Sequence, residues 1–193
     1  FSISYDKKIV FPPGNLQYHP NNNEWRFAPN QWDFMGENNN HISASYDGWI
    51  DLFGWGTGSN PATTSSNDIY DYKYFTDWGK NEIGQDTANT WRTLTPSEYR
   101  YLMNNRNNAS SLRGMAEVNG ADGLIILPDN WDSLIDFKSF TIEEWRKLES
   151  LGAIFLPSAG WRTSSEWSGD RFCYWLNESL GNSSAYYGNT STT

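Results

Sequence analysis

Two stretches of this chain carry the punctuation of an α-helix, and both carry it in the same form. In "LTPSEYRYLMNNR" (94–106), Thr95 stands in the cap position, Pro96 takes the first helical position, and Glu98 falls three residues after the cap. In "FTIEEWRKLESLG" (140–152), Thr141 and Glu144 repeat that spacing and Gly152 supplies a stop. Leu94 with Tyr99, and Phe140 with Trp145, have the separation of hydrophobic staples. The pattern predicts two capped helices. Tyr99, Leu102 and Met103 would form the apolar stripe of the first, and Trp145, Leu148 and Leu151 that of the second.

The rest of the chain reads as short strands and long loops. "MAEVNGADGLIILPDNW" has the pattern of a hairpin, with strands at 115–118 and 124–127 and a turn rich in Asn119, Gly120, Asp122 and Gly123. "AIFLP" (153–157) reads as a short buried strand, and "NEWRFAPNQWDF" as a strand with a turn at Pro29 and Asn30. The most loop-like interior stretch is "GTGSNPATTSSN" (56–67), and no linker divides the chain. These signals predict one α+β domain over 1–193, with its function carried on loops.

Charge and residue counts exclude several chemistries. A formal net charge of −9 disfavours phosphate backbones and anionic lipid, so neither nucleic acid nor membrane insertion is expected. No apolar run is long enough to cross a bilayer. The chain opens at Phe1 without a leader, as expected of a processed or trimmed form. Cys173 is the single cysteine and His19 and His41 are the only histidines, which leaves neither a disulfide framework nor a Cys- or His-rich metal site within one chain. No cofactor is expected. In "PDNWD", Asp129, Asn130 and Asp132 are oxygen donors of the type Ca²⁺ takes, but a turn after a strand is the better reading. Asp129 with Asp132, or Glu143 with Glu144, are pairs of the kind glycoside hydrolysis uses. In so acidic a chain they read as solvated carboxylates, and Glu144 already serves a cap.

Six motifs in fixed order, "FPPGNLQY" (11–18), "WRFAPNQWDFMG" (25–36), "GWIDLFGWGTG" (48–58), "WRTLTPSEYRYLM" (91–103), "GLIILPDNW" (123–131) and "GAIFLPSAGWR" (152–162), carry a resemblance over nearly the whole chain. They resemble bacterial surface proteins of the C-type-lectin-like fold, in the branch related to formylglycine-generating enzymes. That branch includes variable target proteins of diversity-generating retroelements. The resemblance implies a lectin-like scaffold in an exported protein, displayed on a cell surface or phage particle, that binds a protein or glycan on another surface. The enzymes of the branch use paired cysteines for copper chemistry, or three histidines for iron. With one Cys and two His neither site can be assembled here, so no enzymatic activity and no catalytic residue are expected. An adhesin or pilus-associated structural module, and an enzyme with an unrecognised site, remain the alternatives.

The resemblance also frames the C-terminus. "AGWR" (159–162), "YW" at Tyr174 and Trp175, and "AYY" from Ala185 keep the family's order, with nine residues between Trp175 and Ala185. Leu176 and Asn177 replace the usual pair of serines, and the family's final strand would come after "GNTSTT". In retroelement targets this region is rewritten at adenines, and Asn codons altered there yield most of the residue types in 162–192, though not Trp167, Glu166 or Glu178. Aromatic residues mixed with Ser, Gly and Asn also have the composition of recognition loops. Residues 161–193 are therefore the expected variable binding region. Trp161 and Trp175 are expected inside as anchors, while Trp49, Phe53 and Trp55 of the "GWIDLFGWG" stretch are expected as core and loop anchors. The expected exposed ligand-binding face comprises Arg162, Trp167, Arg171, Phe172, Tyr174, Leu176, Asn177, Asn182, Ser184, Tyr187 and Asn189.

Overall fold

The longest aliphatic run, "GLIILP" at 123–128, lacks the alternation of a half-exposed strand, and its setting explains why. The computed structural model describes residues 1–63, 72, 74–163, 166–169, 171–181 and 185–188. Within it, β3 (Arg113–Val118) and β4 (Ala121–Ile126) form an antiparallel hairpin, with Val118 opposite Ala121. β6 (Ile154–Pro157) pairs antiparallel with β4, and the short β5 (Ser139–Phe140) adds to β3 in parallel, giving the order β5-β3-β4-β6. Both faces of this sheet are covered. Ile125, Leu127 and Phe155 pack with Trp145 and Phe140 on one side. Leu124, Ile126 and Ile154 pack with Leu102, Met103 and Phe172 on the other. A strand buried twice over has no polar face to present, so the run is continuous.

The hairpin turn is tighter than expected. Only Asn119 and Gly120 form it, with φ of 51° and 80°, the two left-handed residues that a type I′ turn demands. Asp122 and Gly123, read as turn residues, lie in β4 instead. β1 (Leu16–His19) and β2 (Glu24–Phe27) make a second hairpin, whose Tyr18 and Trp25 join Ile50 and Trp78 in a third apolar cluster. Two further antiparallel pairs come from the C-terminal part. β7 (Trp161–Thr163) pairs with β8 (Glu166–Ser168), and β9 (Tyr174–Ser179) pairs with β10 (Ala185–Gly188).

This arrangement corrects the expected α+β, C-type-lectin-like architecture resting on two capped helices. Small antiparallel and mixed sheets dominate, and the helices are too short to make a layer. α1 (Pro96–Arg100) runs five residues and α2 (Ile142–Ser150) nine. The Thr95 and Thr141 side chains do accept from the backbone N–H of Glu98 and Glu144. The first cap does not lead into a sustained α-helix, because Tyr101–Asn105 widens into a π turn and Arg106 is extended at ψ 157°. Tertiary contacts outweigh helical propensity here. The Arg106 guanidinium turns inward and donates to the carbonyls of Leu127 at 2.9 Å and Leu112 at 3.3 Å. Leu151, expected on the inward stripe of the second helix, caps that helix and is 65% exposed, with Gly152 ending the turn at φ 95°. Among the described residues no helix is long and apolar enough to cross a bilayer.

Asp129, weighed as a calcium ligand or a catalytic acid, instead joins three parts of the chain. It accepts from Ser2 N at 3.2 Å and Ser2 Oγ at 2.8 Å, and lies 3.2 Å from the buried Arg106 Nη1 and 3.5 Å from Lys8 Nζ. Partial burial alone would raise its pKa, but the Ser2 and Arg106 bonds outweigh that and bring it from 3.8 down to about 2. A depressed pKa is stabilising where the carboxyl is ionised in both states. The contribution is therefore complete above pH 3.8 and fades as the pH falls through about 2. Asp129→Asn is expected to cost on the order of 2 kcal/mol at neutral pH in urea denaturation. That deficit should shrink toward zero between pH 3.8 and about 2.

Candidate functional site

The C-terminal strands do not lie free on the surface; they close one side of a cleft of about 800 Å³. From the strands come Trp161, Arg162, Tyr174, Trp175, Leu176 and Tyr187, and from the run leading into β9 come Arg171, Phe172 and Cys173. Facing them are Phe11, Leu16, Phe27, Phe53, Trp78, Leu94 and Tyr99, and the central sheet adds Ile126, Phe155, Leu156 and Pro157. The lining is predominantly aromatic and aliphatic, with a few placed polar groups, as in small-molecule and side-chain pockets.

Two-stranded sheets are marginal on their own, so β9 and β10 need fastening, and indole groups supply it. Trp55 Nε1 donates to the Leu176 carbonyl at 2.7 Å, while Trp175 Nε1 donates to the Phe53 carbonyl at 2.8 Å. The two tryptophans thus exchange donors between the "GWIDLFGWG" segment and β9. Asn177 N donates to the Leu94 carbonyl at 3.0 Å, and the Tyr174 hydroxyl to the Pro157 carbonyl at 3.0 Å. β7 and β8 are fastened separately, by Trp167 Nε1 on the Ala159 carbonyl at 2.8 Å and by Trp167 N on Asn40 Oδ1.

These contacts sort the expected binding residues. Arg171 and Tyr187 are exposed, whereas Arg162, Trp167, Tyr174 and Asn177 are half-buried. Phe172 and Leu176, expected at the surface, are both 5% exposed. The correction has a plain cause, since Phe172 belongs to the apolar cluster of Leu124 and Ile126, and the start of β9 sets Tyr174 against that cluster and Trp175 against the one around Ile50. Trp161 and Trp167 exchange their expected places. In the β7–β8 pair Arg162 lies opposite Trp167, and Trp161 opposite Ser168. Cross-strand partners share a face, so turning Trp167 inward onto Ala159 turns Trp161 outward, to 39% exposure. Gly160 makes the close approach possible. At φ 84°, a Cβ there would stand 2.6 Å from Trp167 Nε1 and clash with the Ser168 carbonyl. Asn182, Ser184 and Asn189 lie outside the described residues.

The facing wall was missed by sequence reasoning. Its residues sit in "FPPGNLQY", "WRFAPNQWDFMG", "GWIDLFGWGTG" and "WRTLTPSEYRYLM", with Trp78 between the last two, where aromatic residues beside Gly and Pro were the available signal. Asp51 was missed as well. It is buried, and desolvation raises its pKa against donations from Asn39 Nδ2 at 2.8 Å, Met35 N at 2.9 Å and Asn15 Nδ2 at 2.9 Å. Those three donors engage both carboxylate oxygens, so the group braces loops at the point where it lines the cleft. Burial, then the Asp51 charge, raises the Tyr174 phenol well above its ordinary value, and burial carries Tyr99 to about 12. Burial also raises the Cys173 thiol, partly offset by Arg171, so it is protonated near neutral pH and a poor nucleophile. Among the described residues no three His, Cys, Asp or Glu side chains cluster to hold a metal ion. The cleft offers ring faces, neutral hydroxyls, two guanidinium groups, the Cys173 thiol and the Asp51 carboxyl.

Trp55→Phe keeps most of the ring and deletes the donor to Leu176, and Trp175→Phe does the same for Phe53. Each is expected to cost about 1–2 kcal/mol in chemical denaturation. Unchanged midpoints in both variants would show that the exchanged indole bonds carry no stability. Comparison of the chain with protein-family models, with curated proteins and with solved structures gave no match, leaving the cleft's own residues as the basis for its function.

Proposed function

We propose that this chain is a non-enzymatic surface ligand-binding protein that presents its C-terminal segment, 161–193, as the binding face. The observation that carries the reading is the aromatic cleft of about 800 Å³, walled on one side by that segment and edged by exposed rings. Trp161 is 39% exposed with the Arg171 guanidinium 4.7 Å over its ring, and Tyr187 is 50% exposed and stands edge-on to Trp175 at 6.3 Å. Trp, Tyr and Arg are the residues that most often dominate binding energy at interfaces. A ring face of a glycan or an aromatic side chain of a protein fits such a mouth, and a cation stacked on Trp161 adds a contact for negative charge.

The ligand is accordingly a protein or glycan on another cell or surface, and the chain is exported to a cell surface or phage particle. Residue usage in 162–192 fits diversification at adenine positions, as in the retroelement target proteins that the motif order resembles. Under that reading the anchors Trp55, Trp167 and Trp175 stay constant, because changing them would release the wall, and variation falls on residues such as Arg171 and Tyr187 that face outward.

Glycan and protein arrays probed with the parent chain and with Trp161→Ala, Arg171→Ala and Tyr187→Ala test the proposal. A ligand of the parent should lose at least ~10-fold affinity with one or more of these variants, the loss typical of a truncated hot spot, while melting temperatures stay unchanged. Equal binding by all three variants, or no ligand in either array, contradicts the proposal.

A further inference from the structure

The β1–β2 hairpin has two faces with different tasks. Leu16 and Phe27, paired with each other, line the cleft. The next pair, Gln17 and Arg26, points the other way by the alternation of strand side chains and lines a separate pocket of about 460 Å³. The two cavities share no lining residue. Pro29, Trp32, Phe34 and Met35 give this second pocket apolar walls, and the Asn119-Gly120 turn completes it.

Its polar groups are donors left over from the fold. Arg26 Nε donates to Gln17 Oε1 at 2.8 Å, and that bond fixes which way the carboxamide is turned. Gln17 Nε2 therefore keeps its N–H groups, yet the residue is fully buried and Nε2 has no partner among the described residues. A buried donor without an acceptor is costly and is rarely left so without a role. The Arg26 guanidinium is oriented by stacking 3.6 Å over the Trp49 ring and pairs with no carboxylate among the described residues, although the chain carries a net charge of −9. Asp33, the acidic residue of the lining, is turned toward Asn30, whose backbone N and Nδ2 both donate to its Oδ2, at 3.0 and 2.9 Å, and its negative charge remains part of the lining.

We propose that this pocket is a second binding site, for a small carboxylate-bearing molecule with a flat or apolar body. The carboxylate takes the remaining donors of Arg26, and a small shift of the pocket wall opens the buried Nε2 donors of Gln17 to it, a planar match that guanidinium and amide groups make well. The body lies against Trp32 and Phe34. The site is independent of the cleft, so either can fail without the other.

Benzoate and its neutral isostere benzamide are the probes. Both are titrated into the intact chain while the side-chain NH signals of Gln17 and Arg26 are followed by ¹H–¹⁵N NMR. Saturable shifts at both signals with benzoate, at least ~10-fold weaker with benzamide, are expected from loss of the charge-assisted bonds. Arg26→Gln and Gln17→Met should each weaken benzoate at least ~10-fold, with folding checked by melting temperature. Arg26→Gln keeps a donor at the strand and so serves if Gln17→Met does not fold. Four results overturn the proposal: no saturable shift at millimolar benzoate, equal binding of the two probes, binding unchanged in the folded variants, or a Gln17 Nε2 that contacts only an ordered water.

Discussion

The exchange of indole donors between Trp55 and Trp175 is the constraint on which the C-terminal half of the structure depends. Each tryptophan belongs to one segment and bonds a backbone carbonyl of the other, at 2.7 and 2.8 Å. An indole N–H is a donor only, and inside an apolar cluster it must find an acceptor or bear the full cost of desolvation. Placing both rings between the same two segments satisfies each donor and ties down the Leu176 and Phe53 carbonyls. A wide indole body also supplies contact area that a chain poor in aliphatic residues lacks. The high aromatic content of 17% thus has a structural use before any functional one.

The central sheet provides what the C-terminal strands are fastened to. β4 is covered on both faces, so two apolar clusters meet across a few short strands rather than around long helices. Tyr174 reaches the Pro157 carbonyl of β6, and Asn177 N reaches Leu94 beside α1. A wall pinned at several backbone points can keep its frame while outward side chains differ. That property is what a recognition surface requires, and it separates Arg171 and Tyr187, which point out, from Trp167 and Trp175, which hold the frame.

Local signals were legible in the sequence where they came with their own chemistry. Asn119-Gly120 names its turn because only residues tolerant of positive φ fit it, and Thr95 and Thr141 name the starts of α1 and α2. Length was not legible: the stop of the first helical stretch is set by Arg106, which leaves the helix to reach Leu127 and Leu112, contacts that no local pattern announces. Facing direction was half legible. The resemblance and the recognition-loop composition put Trp161 inward and Phe172 and Leu176 outward, and cross-strand register with packing against the apolar clusters reversed all three. The opposite wall, from Phe11 to Tyr99, was hidden because its residues are far apart in sequence and only the fold brings them together.

Hydrogen–deuterium exchange at the Asn177 amide tests the central claim most directly, because this N–H is bonded to the Leu94 carbonyl only while β9 is seated. The account predicts protection close to that of Ile125 in β4 for the parent chain, falling by at least ~10-fold in Trp55→Phe as the seat loosens. An Asn177 amide that exchanges as fast as an unstructured one in the parent chain would contradict it, for the C-terminal segment would then be a loose tail and not a wall.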